Sequence, residues 1–145
     1  MTSTFRPDDA RGVLEAVAWA AAEDAPLEIY GHGSRRSVGR PVQAEYGLDL
    51  SGLVGVSLYE PEELVLSVAA GTPMIAIERL LRDHNQALAF EPMDMGPLSG
   101  VARGRGTIGG VLASNGSGPR RIRSARAWPL SGRTGTAASA GSRPP

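Results

Sequence analysis

The chain has 145 residues, 41% of them hydrophobic, which suits one domain with a modest core. It contains neither cysteine nor lysine, so disulfides, thiolate metal sites, Cys-ligated iron–sulfur clusters, a cysteinyl cofactor link, Schiff-base chemistry and a Walker A loop are all excluded. The formal charge is zero but unevenly laid out: residues 1–94 carry seven arginines against all fifteen acids, a net of −8, and residues 95–145 carry eight arginines and no acid.

No apolar run is long enough to span a bilayer, and the N-terminus lacks a basic-then-apolar leader. A cytoplasmic protein is the expectation. Met1 to Phe5 reads as a lead-in. Pro7, Asp8 and Asp9 then mark a helix start, because proline suits the first turn and carboxylates suit the positive end of the helix dipole. Val13, Leu14, Val17, Ala18 and Ala21 recur at helical spacing and predict its apolar face. Glu23-Asp24-Ala25-Pro26 ends it.

Leu27 to Tyr30 is a short strand that opens into Gly31-His32-Gly33-Ser34, followed by Arg35 and Arg36. Glycines spaced by one residue let backbone N–H groups approach an anion closely. Ser34 adds a hydroxyl, and the two arginines add charge that suits phosphate. A diphosphate-binding loop and an ordinary glycine turn with exposed arginines are both open on this segment alone.

Short strands follow at Gly47 to Leu50 and Val54 to Leu58, separated by glycine and serine. Glu60-Pro61-Glu62-Glu63 is a polar turn. Leu64 to Ala70 is apolar almost throughout and predicts a strand buried on both faces. Gly71 closes it, and Thr72-Pro73 predicts an N-cap and first turn. Ile77, Leu80, Leu81 and His84 share one face of the helix beyond, which ends near Asn85, and Gln86 to Phe90 is a further strand.

The next block is rich in glycine. Gly104, Gly106 and Gly109 formally satisfy G-x-G-x-x-G, but no strand precedes them as a dinucleotide fingerprint requires. A second backbone-rich anion or cofactor loop, with a short helix over Val111 to Asn115, is the better reading. Arg79 and Arg82 are read as a solvated helix face, His84 as structural, and Met93 with Met95 as loop packing.

The order of these pieces resembles a known family. A strand enters G-x-G-S; a strand enters Ala70-Gly71-Thr72-Pro73; Phe90-Glu91-Pro92, Thr107-Ile108-Gly109-Gly110 and Ser117-Gly118-Pro119-Arg120-Arg121 follow. This is similar to the FAD-binding domain of the vanillyl-alcohol oxidase/PCMH flavoprotein superfamily, and within it to the FAD-binding subunits of bacterial glycolate oxidases. The resemblance implies an α+β fold, the first lobe of a PCMH-type FAD-binding domain with a small sheet flanked by helices, over residues 6–124. It implies FAD on Gly31, His32, Gly33, Ser34 and Arg35 at the diphosphate. Gly106, Thr107, Ile108, Gly109 and Gly110 would form a second cofactor loop, with Asn115 and Gly116 on the flavin side and Pro92 near the isoalloxazine.

Covalent members of the superfamily usually place histidine after three glycines. Here histidine takes the second place and Ser34 stands at that ligand's position, so noncovalent FAD is expected, with His32 as a loop residue rather than a catalyst. No catalytic residue and no metal ligand is assigned. The implied function is oxidation of glycolate to glyoxylate, with a sister FAD-containing catalytic subunit and an iron–sulfur subunit as partners, cytoplasmic and membrane-associated only through such a complex. Another oxidoreductase of the superfamily, acting on a different hydroxy acid or alcohol, is the alternative. A polyanion-binding module using Arg120, Arg121 and Arg123 is the alternative from another class.

After Ser124 the pattern stops. Residues 125–145 hold no acid and almost no aliphatic side chain, the composition of a linker or disordered tail. An arginine-rich, lysine-free chain suggests a GC-rich gene, in which a shifted frame would yield such residues. The expectation is a truncated or frameshifted protein whose second lobe is missing, leaving an apolar face uncovered.

Overall fold

A computed structural model describes residues 3–100, 102–116, 118 and 119, and the backbone of 136–142. Strands and helices follow in the order β1 (Ser3–Phe5), α1 (Ala10–Ala22), β2 (Leu27–Tyr30), β3 (Tyr46–Asp49), β4 (Val56–Glu60), β5 (Val65–Val68), α2 (Met74–Asp83), β6 (Gln86–Leu88), α3 (Ile108–Ala113) and β7 (Thr136–Ser142), with a 3₁₀ turn at Pro97–Ser99. They form two sheets. The first is parallel, ordered β1-β3-β2; the second is antiparallel, ordered β4-β5-β7-β6. The α+β expectation holds, with two small sheets where one was foreseen.

Helix α1 begins as the sequence requires: the Asp9 carboxylate accepts from the Gly12 N–H at 2.7 Å. Its packed face differs from the expected one. Ala16 and Ala20 are buried and Trp19 wedges between Phe5 and Tyr46, with ring centroids at 5.0 and 4.8 Å, whereas Leu14 and Val17 stay exposed. Alanines permit close approach to the sheet, and the aromatic trio supplies the apolar area that the branched residues would have given. The trio also makes β1 part of the fold. Its three residues were read as a lead-in because a strand that short has no detectable period.

The main core lies between the second sheet and helices α2 and α3. Leu66, Val68, Met74, Ile77, Leu81, Phe90, Ile108 and Val111 pack together there. Truncating a fully buried member such as Leu66 costs about 2–5 kcal/mol. β5 was expected to be buried on both faces. Instead Leu66 and Val68 face the core while Val65 stays 38% exposed, because an antiparallel sheet with helices on one side buries alternate residues. Val54, Val56 and Leu58 remain exposed beside it.

Thr72 does not cap α2. Pro73 stands at the N-cap without a side-chain bond, while the Thr72 hydroxyl accepts from the Gly55 N–H at 3.0 Å and donates to the Gly55 carbonyl at 3.2 Å. Thr72 thus ties the β5–α2 turn to the β3–β4 connection. Gly71 sits in the same joint: a Cβ there would fall 2.8 Å from the Leu53 carbonyl oxygen, which accepts the Gly71 N–H at 2.8 Å.

All three α-helices end on a non-glycine residue in the left-handed region, at Asp24, Asn85 and Asn115, with φ of 49, 56 and 50°. At α3 the Gly116 N–H reaches the Val111 carbonyl at 2.9 Å and the Asn115 N–H reaches Leu112 at 3.0 Å, the double bond pattern of a Schellman cap.

Within 125–145, expected as a disordered or out-of-frame tail, the structure describes one strand, Thr136–Ser142. That stretch pairs with Val65 to Val68 on one side and with Gln86 to Leu88 on the other. Its small residues gave no strand signal, yet backbone pairing between two existing strands needs none. The rest of 125–145 lies outside the described residues, as do Arg120, Arg121 and Arg123.

Candidate functional site

The site forms where the two glycine-rich loops meet. β2 delivers the first at its carboxyl end, the position at which open α/β sheets bind ligands. Gly33, at φ +72°, turns the chain so that Ser34 is buried and Arg35 half-buried. The Arg36 N–H closes the turn onto the Gly33 carbonyl at 3.2 Å. The N–H groups of Gly33, Ser34 and Arg35 have no acceptor among the described residues. Consecutive unengaged N–H groups around a left-handed glycine make an anion-binding concavity.

The second loop is seated on the first. Thr107 caps α3 by accepting the Gly110 N–H at 3.2 Å. Gly31 lies directly against it, since a Cβ on Gly31 would stand 2.8 Å from Thr107 Oγ1. A Cβ on Gly106 would lie 3.8 Å from Ser34 Oγ, and one on Gly110 3.7 Å from Arg35 Nη1. Of these glycines, Gly116 presses closest on Arg35, with its Cβ position 2.9 Å from Nη2. Gly31, Ser34, Arg35, Gly106, Thr107, Gly110 and Gly116 are therefore brought together, and absent side chains are what let the loops touch.

Two residues expected at the cofactor are turned inward. Ile108 is fully buried in the core and donates its N–H to the Thr72 carbonyl at 3.0 Å; Gly109 donates to the Ala70 carbonyl at 2.9 Å. With Gly110 engaged by Thr107, these N–H groups are taken up in seating the loop. A Cβ on Gly109 would meet Ala70 O at 2.8 Å, so this glycine serves packing. Asn115 is exposed at the cap of α3.

The two arginines part company. Arg36 closes on Glu28, with Nε 2.7 Å from Oε1, and its guanidinium carbon lies 4.7 Å from the Tyr30 ring centroid. Arg36 was expected to serve phosphate together with Arg35; Glu28 already holds it. Arg35 meets no carboxylate within ion-pair distance among the described residues, and Nη2 donates to the Met93 carbonyl at 3.2 Å. Burial lowers its pKa, with Asp94 opposing, but a guanidinium stays charged. His32 keeps a buried Nδ1 without a partner among the described residues. It lies near Asp49, whose carboxyl burial pushes up but which hydrogen bonds from Ser51, with Arg6 and His32, hold below the ordinary range.

Two clefts flank this junction. One of about 360 Å³ runs along Gly31 to Arg36 and reaches Thr107, Gly110 and Ser114. The other, about 200 Å³, lies beyond Ser34 and Arg35 and is walled by Met74, Pro92, Met93, Asp94 and Gly106. Pro92 belongs to the second. A larger cleft of about 690 Å³ between Trp19, Glu23, Asp24 and Glu45 sits near the opposite end of the parallel sheet and is acid-lined, the wrong sign for a diphosphate. Residues unforeseen from sequence also shape the site. The Ser99 hydroxyl donates to the Ser34 carbonyl at 2.9 Å, and the Asp94 carboxylate holds two backbone N–H groups. Only the Asp94-x-Gly96 turn signal could have pointed to the latter. Met93 acts through its carbonyl, since its side chain is 61% exposed and not packed.

These features fit an FAD diphosphate: N–H groups without an acceptor, a guanidinium without a carboxylate and a buried imidazole nitrogen without a partner, all among the described residues, and loops without side chains at their contact. A model of the FAD-binding domain family matches residues 2–128, ending near the Ser124 at which the sequence pattern stops. The chain belongs to this family, whose cofactor is FAD. Glycolate oxidase subunit GlcE of Escherichia coli (strain K12) is 36% identical over 114 residues, covering 79% of this chain and 30% of that protein. The chain thus spans about three-tenths of that relative's length.

Solved structures give the same fold. An alkyldihydroxyacetonephosphate synthase superposes with a TM-score of 0.60 at 18% identity, over 76% of this chain and 20% of its own. Cholesterol oxidase from Brevibacterium sterolicum superposes with a TM-score of 0.58 at 23% identity, over 79% and 21%. Among the described residues no helix is long and apolar enough to cross a membrane.

Proposed function

We propose that this chain is the diphosphate-binding part of an FAD-dependent oxidoreductase subunit that works in a glycolate-oxidising complex. The observation that carries the reading is the run of N–H groups at Gly33, Ser34 and Arg35 that have no acceptor among the described residues, with the Arg35 guanidinium, which meets no carboxylate among them, on the same loop. Gly31, His32, Gly33, Ser34 and Arg35 hold the diphosphate, Thr107 and Gly110 back that loop, and Pro92 with Gly116 borders the flavin side. The cofactor is held noncovalently, because Ser34 stands where a histidine linkage would form. FAD, when bound, supplies the two-electron acceptor; the residues present bind and orient it. Similarity to the glycolate oxidase subunit supports glycolate as the substrate, a sister FAD-containing subunit and an iron–sulfur subunit as partners, and a cytoplasmic location.

The test is to purify the protein with its co-expressed partner subunits and add glycolate without oxygen. Bleaching of the flavin absorbance by glycolate, and release of the flavin by acid or denaturant, are the expected results. Flavin that bleaches only with a different hydroxy acid or alcohol moves the protein to another activity of the superfamily. Protein that retains no flavin overturns the reading.

A further inference from the structure

Asp94 has the wrong charge for its place. It stands next to Met93, whose carbonyl accepts from Arg35, and it lines the same cleft as Ser34, Arg35 and Gly106. On charge alone a carboxylate here weakens anion binding. Its geometry suggests a different use. One carboxylate oxygen accepts the Gly96 N–H at 3.0 Å and the other accepts the Gly104 N–H at 2.8 Å. Both oxygens are engaged, and no ion pair forms with Arg35 among the described residues. These two N–H groups, from Gly104 first, hold the carboxyl below its ordinary range, so it stays an anion that accepts both bonds.

We propose that Asp94 is a positioning residue for the diphosphate site: it clamps the 93–104 loop so that the Met93 carbonyl holds one arm of Arg35 and leaves the rest of the guanidinium open to phosphate. The contrast with Glu28 carries the idea. Glu28 has no backbone donor on its oxygens among the described residues and takes the fork of Arg36. Asp94, with Gly96 and Gly104 on its oxygens, is held to its own loop and forms no ion pair with Arg35 among the described residues. Two neighbouring arginines are thereby divided, one held by a carboxylate and one kept for the ligand. The inference rests on the FAD reading above.

The test uses the full protein, freed of flavin and titrated with FAD, as wild type, Asp94→Asn, Arg35→Ala and the double variant. Asparagine keeps the size of the side chain but has a single acceptor atom, so it cannot hold both N–H groups as the carboxylate does. Asp94→Asn is expected to weaken FAD binding about tenfold despite removing a negative charge, a coupling in the range of adjacent, networked residues. In the Arg35→Ala background the same substitution should change the dissociation constant by less than about twofold, because its effect travels through Arg35. Amide exchange at Gly96 and Gly104, read without FAD, should speed up in the variant. Tighter or unchanged FAD binding in Asp94→Asn overturns the proposal, as does a tenfold loss that persists without Arg35. Should the variant fail to fold, Asp94→Glu, which keeps the charge but displaces the carboxylate from the Gly96 and Gly104 N–H groups by one methylene, replaces it with the same expected directions. Absence of FAD binding by the wild type overturns the cofactor reading itself, a result distinct from either of these.

Discussion

Arg36 and Glu28 form a closed fork eight residues apart, linking the loop after β2 back to the strand that leads into it. The adjacent Arg35 points the other way, toward the Met93 carbonyl and the glycines of the second loop. Sequence alone treats the two as equivalent cations, and the structure separates them. Arg35→Ala should weaken FAD binding about 10- to 100-fold, the range for a hydrogen bond to a charged group. Arg36→Ala should change it less than about threefold, since Glu28 already takes up the Arg36 guanidinium. Fluorescence titration of the two variants checks the pair, and equal losses would mean that Arg36 also reaches the ligand.

Gly31 and Thr107 set the spacing between the loops. A methyl group on Gly31 would fall 2.8 Å from Thr107 Oγ1 and 2.9 Å from Cγ2, closer than packed atoms allow. Gly31→Ala should therefore lower both the melting temperature and FAD affinity. Adding Thr107→Ala removes the obstruction and should recover part of the loss, less the cap, which is worth about 1 kcal/mol. Thermal melts of the single and double variants decide it; no recovery would mean the loops are not in contact.

Much of this arrangement was legible beforehand, and what was not has physical causes. β2, α2 and the two glycine loops announce themselves through period and punctuation, because a strand, a helix and a tight turn each constrain local residue choice. The packed face of α1 was not legible. Ala16 and Ala20 are chosen for closeness, not hydrophobicity, so an apolar-period reading selects Leu14 and Val17 instead. Ile108 and Gly109 look like ligand-facing loop residues because glycine-rich segments serve packing and binding alike. Only the long-range bonds to Thr72 and Ala70 reveal which, and these lie beyond any local pattern. The Asp94 clamp was only half legible: a local turn signal covers Gly96, but the other partner, Gly104, is ten residues away.

Acid should destabilise the protein in a defined window. The Asp49 and Asp94 carboxyls are both held below the ordinary value of about 3.9. A depressed folded pKa gives stability that is present above the unfolded value and lost as pH falls through the folded one. Urea midpoints should therefore be flat with respect to these groups above about pH 5 and fall below about pH 4. Asp94→Asn should shallow that fall, and an unchanged slope would show that its hydrogen bonds do not persist in solution.

Helix α2 ends at Asn85, at φ +56°. Glycine adopts this conformation without the Cβ penalty, whereas alanine does so at a cost of about 1 kcal/mol. Asn85→Gly should be neutral to stabilising by a few tenths of a kcal/mol, and Asn85→Ala destabilising by about 1 kcal/mol. Chemical denaturation of both variants measures it. The reverse order would contradict a left-handed cap at this helix.

The most direct measurement is a titration of FAD into the flavin-free protein, followed by quenching of flavin fluorescence, alongside Gly33→Val. Gly33 holds φ +72°, where a β-branched side chain is strained and would crowd the open N–H groups. Saturable binding by the wild type, lost in Gly33→Val while far-ultraviolet circular dichroism stays the same, is the predicted result. Binding that survives the substitution unchanged would place the diphosphate somewhere other than the Gly31 to Arg35 loop.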